Sequence, residues 1–159
     1  MTAANTVLLR LEGPLQAWGV TVLRVIIGLV FLVHGLQKLF VMGMAGVAGF
    51  MTQIGVPLPM TAAVVVTAIE VVCGLALIAG FLTPWVAIPL AIEMLVAGAL
   101  VHWSAGFFLP NGYEFALTLL ASCAALSLLG PGVYALDNIL PIEEAPVTGP
   151  TRAGATKAA

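Results

Sequence analysis

The chain has 159 residues, of which 62% are hydrophobic and only 8% charged, with a mean hydropathy of +1.16. Soluble domains carry about 25% charged residues, so this composition excludes a soluble globular protein and makes the bilayer the solvent. A net charge of −2 with only five Lys and Arg excludes a basic nucleic-acid surface.

Residues 1–19 hold VLLRL, a Gly13–Pro14 break and LQAWG. They read as an interfacial lead-in, with Trp18 at headgroup level and Arg10 in water. No basic cluster precedes the first long apolar run, so no cleavable leader is read there. The first predicted helix runs from about Val20 to Met42 and stops at Gly43. It carries Arg24, His34, Gln37 and Lys38 among Val, Ile, Leu and Phe. At about 100° per residue, Arg24, Gly28, Phe31, Gly35 and Lys38 share one stripe, with His34 at its edge. Polar groups are costly in lipid, so this stripe must face protein or trapped water.

Residues 43–58 read as a Gly-rich loop with a short surface helix. Pro59 suits the first turn of the second helix, about 60–79, which carries Glu70 at its middle. Its nine Val, Ile and Leu residues favour insertion by roughly 3 to 5 kcal/mol, and a mid-helix carboxyl costs about 3. Insertion is near balance, so Glu70 is expected to be protonated or paired. Thr83–Pro84 predicts an N-cap and N1 for the third helix, about 84–103, with a kink at Pro89 and Glu93 one turn on. Asn111 and Glu114 predict a capping box for the fourth, about 113–129, which ends at Gly130–Pro131–Gly132. Residues 139–159 read as a disordered tail. The fold class is therefore all-α, an integral membrane four-helix bundle spanning residues 20–138. The weak Lys and Arg bias puts both termini on the inner side of the membrane.

Depth sorts the polar residues, at 1.5 Å per residue. Glu70 and Glu93 fall near the midplane, and Arg24 on the order of 10 Å inward. Lys38 and Glu114 lie on the order of 10 Å outward, with His34 and His102 also outward of centre. Two groupings follow: an outer cluster of His34, Lys38, His102 and Glu114 bordered by Tyr113 and Trp103, and a buried carboxyl pair with Arg24 below. Lys38 with Glu114 has a plain structural reading as an ion pair, and His102 as an interfacial residue. Cys73 and Cys123 form no CxxC motif and read as helix-packing residues, not a zinc site or dithiol. A carboxyl near the bilayer centre points to function. Two such groups in contact cannot both ionise, which suits proton uptake beside a quinone.

The ordered set RVIIGLVFLVHGLQKLF, then Gly55 and Pro57, then EVVCGLALIAGFLTP, NGYEFAL and GPGVYALD resembles the DoxX family of small four-helix membrane proteins. Over residues 1–19, the run LLRLEGPLQAWG alone resembles the opening strand of the backbone subunit of CRISPR surveillance complexes. The DoxX resemblance implies a membrane component tied to redox chemistry, in quinone-linked thiosulfate oxidation or in oxidative-stress and thiol handling. Glu70, Glu93 and His34 would handle protons, while Arg24, Lys38, Gln37, His102, Tyr113 and Glu114 would line a quinone site. No flavin, haem or metal motif is present in the sequence. Quinone is the candidate cofactor, and the partners are the bilayer and a redox subunit or a second copy. The alternatives are a non-catalytic anchor or a small proton or solute transporter.

Overall fold

A computed structural model describes residues 3–140, with side chains from residue 13 onward. Its elements are α1 (Ala3–Gln37), a π turn (Lys38–Met42), α2 (Gly43–Gln53), α3 (Pro59–Ala79), α4 (Thr83–Ala97) and α5 (Glu114–Leu129). After α4 the chain passes through a second π turn (Gly98–His102) and a 3-10 turn (Trp103–Ala105). No strand occurs among the described residues, so the chain is all-α as expected. Lipid offers no partner for a bare N–H or C=O, and a helix satisfies both internally. Three helical stretches are long and apolar enough to cross a membrane: Gly13–Gln53, Pro59–Ala79 and Thr83–Ala105. The 16-residue α5 is apolar too, about 24 Å long.

Three local expectations change. The first helix does not wait for Val20: α1 begins at Ala3 and runs through the expected Gly13–Pro14 break into the first span. Proline removes one N–H from the ladder, and the turns on either side hold the helix together. The stretch after Gly43 is mostly a helix, not a loop. Met44, Val47, Ala48 and Met51 recur at helical spacing, and Val47 and Ala48 bury against Ala63 of α3. The capping box does not form, because α5 starts at Glu114 itself and the carboxylate accepts the Leu109 N–H at 2.7 Å. The tail expected at 139–159 lies outside the described residues from 141 onward.

Packing follows small residues. α1 lies against α3 and α4 against α5 as two close pairs, and looser α3–α4 and α1–α5 contacts complete the ring. Buried positions in α3 (Ala63, Thr67, Glu70, Gly74, Leu77) and α5 (Ala116, Leu119, Cys123, Leu126) recur every three or four residues. On α1 the buried residues include Arg24, Gly28, Phe31 and Gly35, the predicted stripe. A Cβ on Gly28 would sit 2.8 Å from the Gly74 carbonyl oxygen, and one on Gly74 would sit 2.8 Å from the Leu32 nitrogen. The two backbones touch there, the small-residue packing that membrane helices favour. Ile27, Phe31, Leu77, Leu90, Cys123 and Leu126 fill the adjoining core.

That filled end is tied by two charged side chains. Arg24 is 1% exposed. Its guanidinium donates to the carbonyls of Leu77 (2.7 Å), Ile78 (3.1 Å) and Tyr134 (3.2 Å). The first two lie in the last turn of α3, where the Leu77 carbonyl also accepts the Gly80 N–H at 3.1 Å. Asp137 answers from the other side of the turn, accepting the Leu82 and Thr83 N–H groups at 2.6 and 3.0 Å. The N-terminus of α4 is thus held by Asp137 and not by the expected Thr83 cap, whose buried hydroxyl has no partner among the described residues. Leu82 takes a left-handed φ of 50°, a conformation that a non-glycine residue resists and that these two bonds hold. Thr21 fastens the same 130–138 segment by accepting the Val133 N–H at 2.8 Å.

Gly74→Val must push α1 from α3 and is expected to lose about 1–3 kcal/mol. Gly49→Ala, with nothing within 4 Å of its Cβ, should leave stability unchanged or slightly raised. Thermal unfolding of both variants in mild detergent measures the contrast.

Candidate functional site

The side chains that fill the Arg24 end give way, toward the far end of the bundle, to a cavity of about 730 Å³. That size lies within the range of small-molecule sites. α1, α3, α4 and α5 form its walls, and α2 with the loop after it closes one side through Phe50, Met51 and Ile54. The lining is apolar except for His34, Lys38, Glu70, Glu93 and His102.

Lys38 and Glu70 form an ion pair, Nζ to Oε1, at 2.5 Å. Their side chains are 21% and 3% exposed. Gly35 makes the pairing feasible: a Cβ there would lie 3.0 Å from Glu70 Cβ, so the helices are close where the two residues meet. The expected partner, Glu114, is engaged elsewhere. Depth along the axis was a poor guide for Lys38 because side chains tilt toward the N-terminus of their helix. That tilt carries the Lys38 ammonium back toward the centre of the bundle. Glu93, on α4, lies close enough to interact with both Glu70 and Lys38. The expected carboxyl pair therefore shares one site with the lysine. Glu70 Oε2 and Glu93 Oε2 are buried with no hydrogen-bond partner among the described residues.

The two histidines complete the wall. His34 Nδ1 lies 2.9 Å from the Val30 carbonyl and His102 Nδ1 lies 2.8 Å from the Asn111 carbonyl. A carbonyl only accepts, so each Nδ1 donates, and in the neutral ring Nε2 is left as an acceptor. His34 also packs on Phe115, ring centres 6.3 Å apart.

The other candidates stand apart. Arg24 is in the carbonyl clamp at the opposite end. Gln37 is exposed and Tyr113 stacks on Trp103 at 5.2 Å, neither lining the cavity. Among the described residues no cluster of His, Cys, Asp and Glu could hold a metal ion. Two features were missed from the sequence. The α2 wall had a signal in the spacing of Met44, Val47, Ala48 and Met51. The π turns, one opened by Lys38 and the other ended by His102, had none. Such turns are rare and are often found at functional sites.

Breaking a buried pair leaves one charge stranded. Lys38→Met is therefore expected to lower stability by on the order of 3 kcal/mol, and Lys38→Met/Glu70→Leu to recover most of that loss. Denaturant unfolding of both variants in detergent tests the order, and a double variant no more stable than the single would contradict the pairing.

Comparison with known proteins agrees with this architecture. The DoxX family profile matches residues 19–103. The "Uncharacterized membrane protein Rv3486" of Mycobacterium tuberculosis is 33% identical over 84% of this chain and 86% of its own length. The "Putative oxidoreductase CatD" of Bacillus subtilis is 37% identical over 75% of this chain and 84% of its own. The "Inner membrane protein YphA" of Escherichia coli is 27% identical over 72% and 85%. No solved structure matches the chain. With its helical membrane-spanning stretches and its match across the three expected spans from α1 to α4, the chain belongs to the DoxX family of membrane proteins.

Proposed function

We propose that this protein is a redox-linked membrane subunit that binds a quinone in the cavity and handles the protons of its reduction or oxidation. The observation that carries the reading is the buried Lys38–Glu70 pair facing Glu93 in an otherwise apolar wall. A quinone gains two electrons and two protons to become a hydroquinone, and loses both on the way back. The electrons belong to a redox partner subunit. The protons pass through Glu93 and Glu70, with His34 and His102 as further acceptors in the wall. The Lys38 ammonium, with N–H bonds beyond the one given to Glu70, faces the ring oxygen. The Bacillus subtilis relative carries an oxidoreductase name, which favours redox membership over a passive anchor. A transporter is less supported, because Phe31, Leu77, Leu90 and Leu126 fill the half of the bundle beyond the cavity. In this reading the protein sits in a bacterial cytoplasmic membrane with both termini cytoplasmic, as the Arg and Lys bias suggests.

The protein purified in mild detergent should carry near-stoichiometric quinone in an organic extract read by mass spectrometry. Glu70→Gln and Lys38→Met should reduce that to the level of an unrelated membrane protein. Background quinone in the parent protein would overturn the reading.

A further inference from the structure

We infer that the cavity is loaded sideways from the bilayer, through a slit between α3 and α4, and that it selects a tailed hydroquinone over the oxidised quinone because its walls mostly accept hydrogen bonds. This deepens the quinone reading and rests on it.

The slit comes from the way α3 and α4 pack. They are joined by the Gly80–Leu82 turn, yet they touch less than α1 with α3 or α4 with α5; α1 and α5 touch less still, but His34 packs on Phe115 across that seam and makes it polar. Counting outward from the turn pairs Ile69 with Ile92, Val65 with Val96 and Ala62 with Leu100. All six line the cavity. Val65 is nevertheless 49% exposed, Ile92 56%, Val96 48% and Leu100 55%. Residues that line a cavity and are half open mark its mouth. These lips are wholly apolar, so the mouth faces hydrocarbon, and it extends for about 10 Å along the helices. An aliphatic tail fits such a mouth, while a free polar solute would have to cross lipid to reach it.

The head preference comes from the polar groups. Glu70 Oε2 belongs to a carboxylate whose other oxygen already holds Lys38, so it accepts and does not donate. Glu93 Oε2 is also without a partner. Since the two carboxyls cannot both ionise, Glu93 offers one O–H donor and one acceptor oxygen. His34 and His102 each present Nε2 as an acceptor, so acceptors still outnumber donors. Lys38 is the one cation in the lining. A ring hydroxyl donates to these groups. A quinone carbonyl offers them nothing, and a buried acceptor left unsatisfied is penalised.

The test uses protein in lipid nanodiscs, held without oxygen, and four probes: a decyl-tailed hydroquinone, the matching quinone, its di-O-methyl ether, and the hydroquinone without a tail. The hydroquinone is expected to bind at least about tenfold more tightly than the quinone or the ether. Val96→Trp fills the slit from an exposed position. It should weaken the tailed probe about tenfold more than the tail-less hydroquinone, and keep the parent thermal midpoint. If no probe binds, the quinone reading falls and this inference with it. If the quinone binds as tightly as the hydroquinone, or Val96→Trp leaves tailed binding intact, only the present inference falls. The probe comparison needs no variant, so a Val96→Trp protein that fails to fold still leaves the head preference open to refutation.

Discussion

Everything in this bundle depends on how closely α1 approaches α3. Lipid tails are as apolar as leucine, so helices in a bilayer gain little from hiding hydrophobic surface from water. They associate where backbones can touch, and Gly28, Gly35 and Gly74 let these two do so. The same approach brings a lysine from one helix within bonding distance of a glutamate in the other. Larger residues on that seam would move Lys38 and Glu70 apart and leave two charges to be solvated by hydrocarbon.

The two ends of the bundle meet the cost of buried polarity differently. At one end the charges are spent on the backbone. Arg24 binds carbonyls of the last turn of α3 and of Tyr134, and Asp137 satisfies N–H groups that α4 cannot. The bonds there are internal, although Arg24 Nε and the Thr83 hydroxyl have no partner among the described residues, and the core beside them is filled. At the other end the charges satisfy each other only in part. Lys38 takes one oxygen of Glu70, and two carboxyl oxygens remain without partners beside open space. A buried ion pair contributes little net stability over apolar packing, which favours a functional account of this one.

Much of this was legible in the sequence. The periodicity of Arg24, Gly28, Phe31 and Gly35 located the buried stripe, because a helix in lipid has no other place for such a face. Glu70 and Glu93 stood out because carboxyls near a bilayer centre are rare. Partnerships were harder to read. Arg24 looked like part of a quinone site, since nothing local shows that the chain near Tyr134 folds back across the end of α3. Thr83 looked like a cap, since Asp137 is remote in sequence. Lys38 was matched with Glu114 by depth, because its reach back along its own helix was not counted. Long-range contacts decided each of these, and a single sequence carries little trace of them.

The separation of a sealed half from a hollow half has a consequence for how such proteins diversify. Packed scaffold and cavity wall occupy different turns of the same helices. Residues around the α3–α4 turn and the glycine seam answer to folding and tolerate little. Residues along Val65, Ile92, Val96 and Leu100 border open space, so a change of shape there alters what is admitted without unsettling the frame. The wall can therefore change shape in a chain of this family while the frame around it is kept.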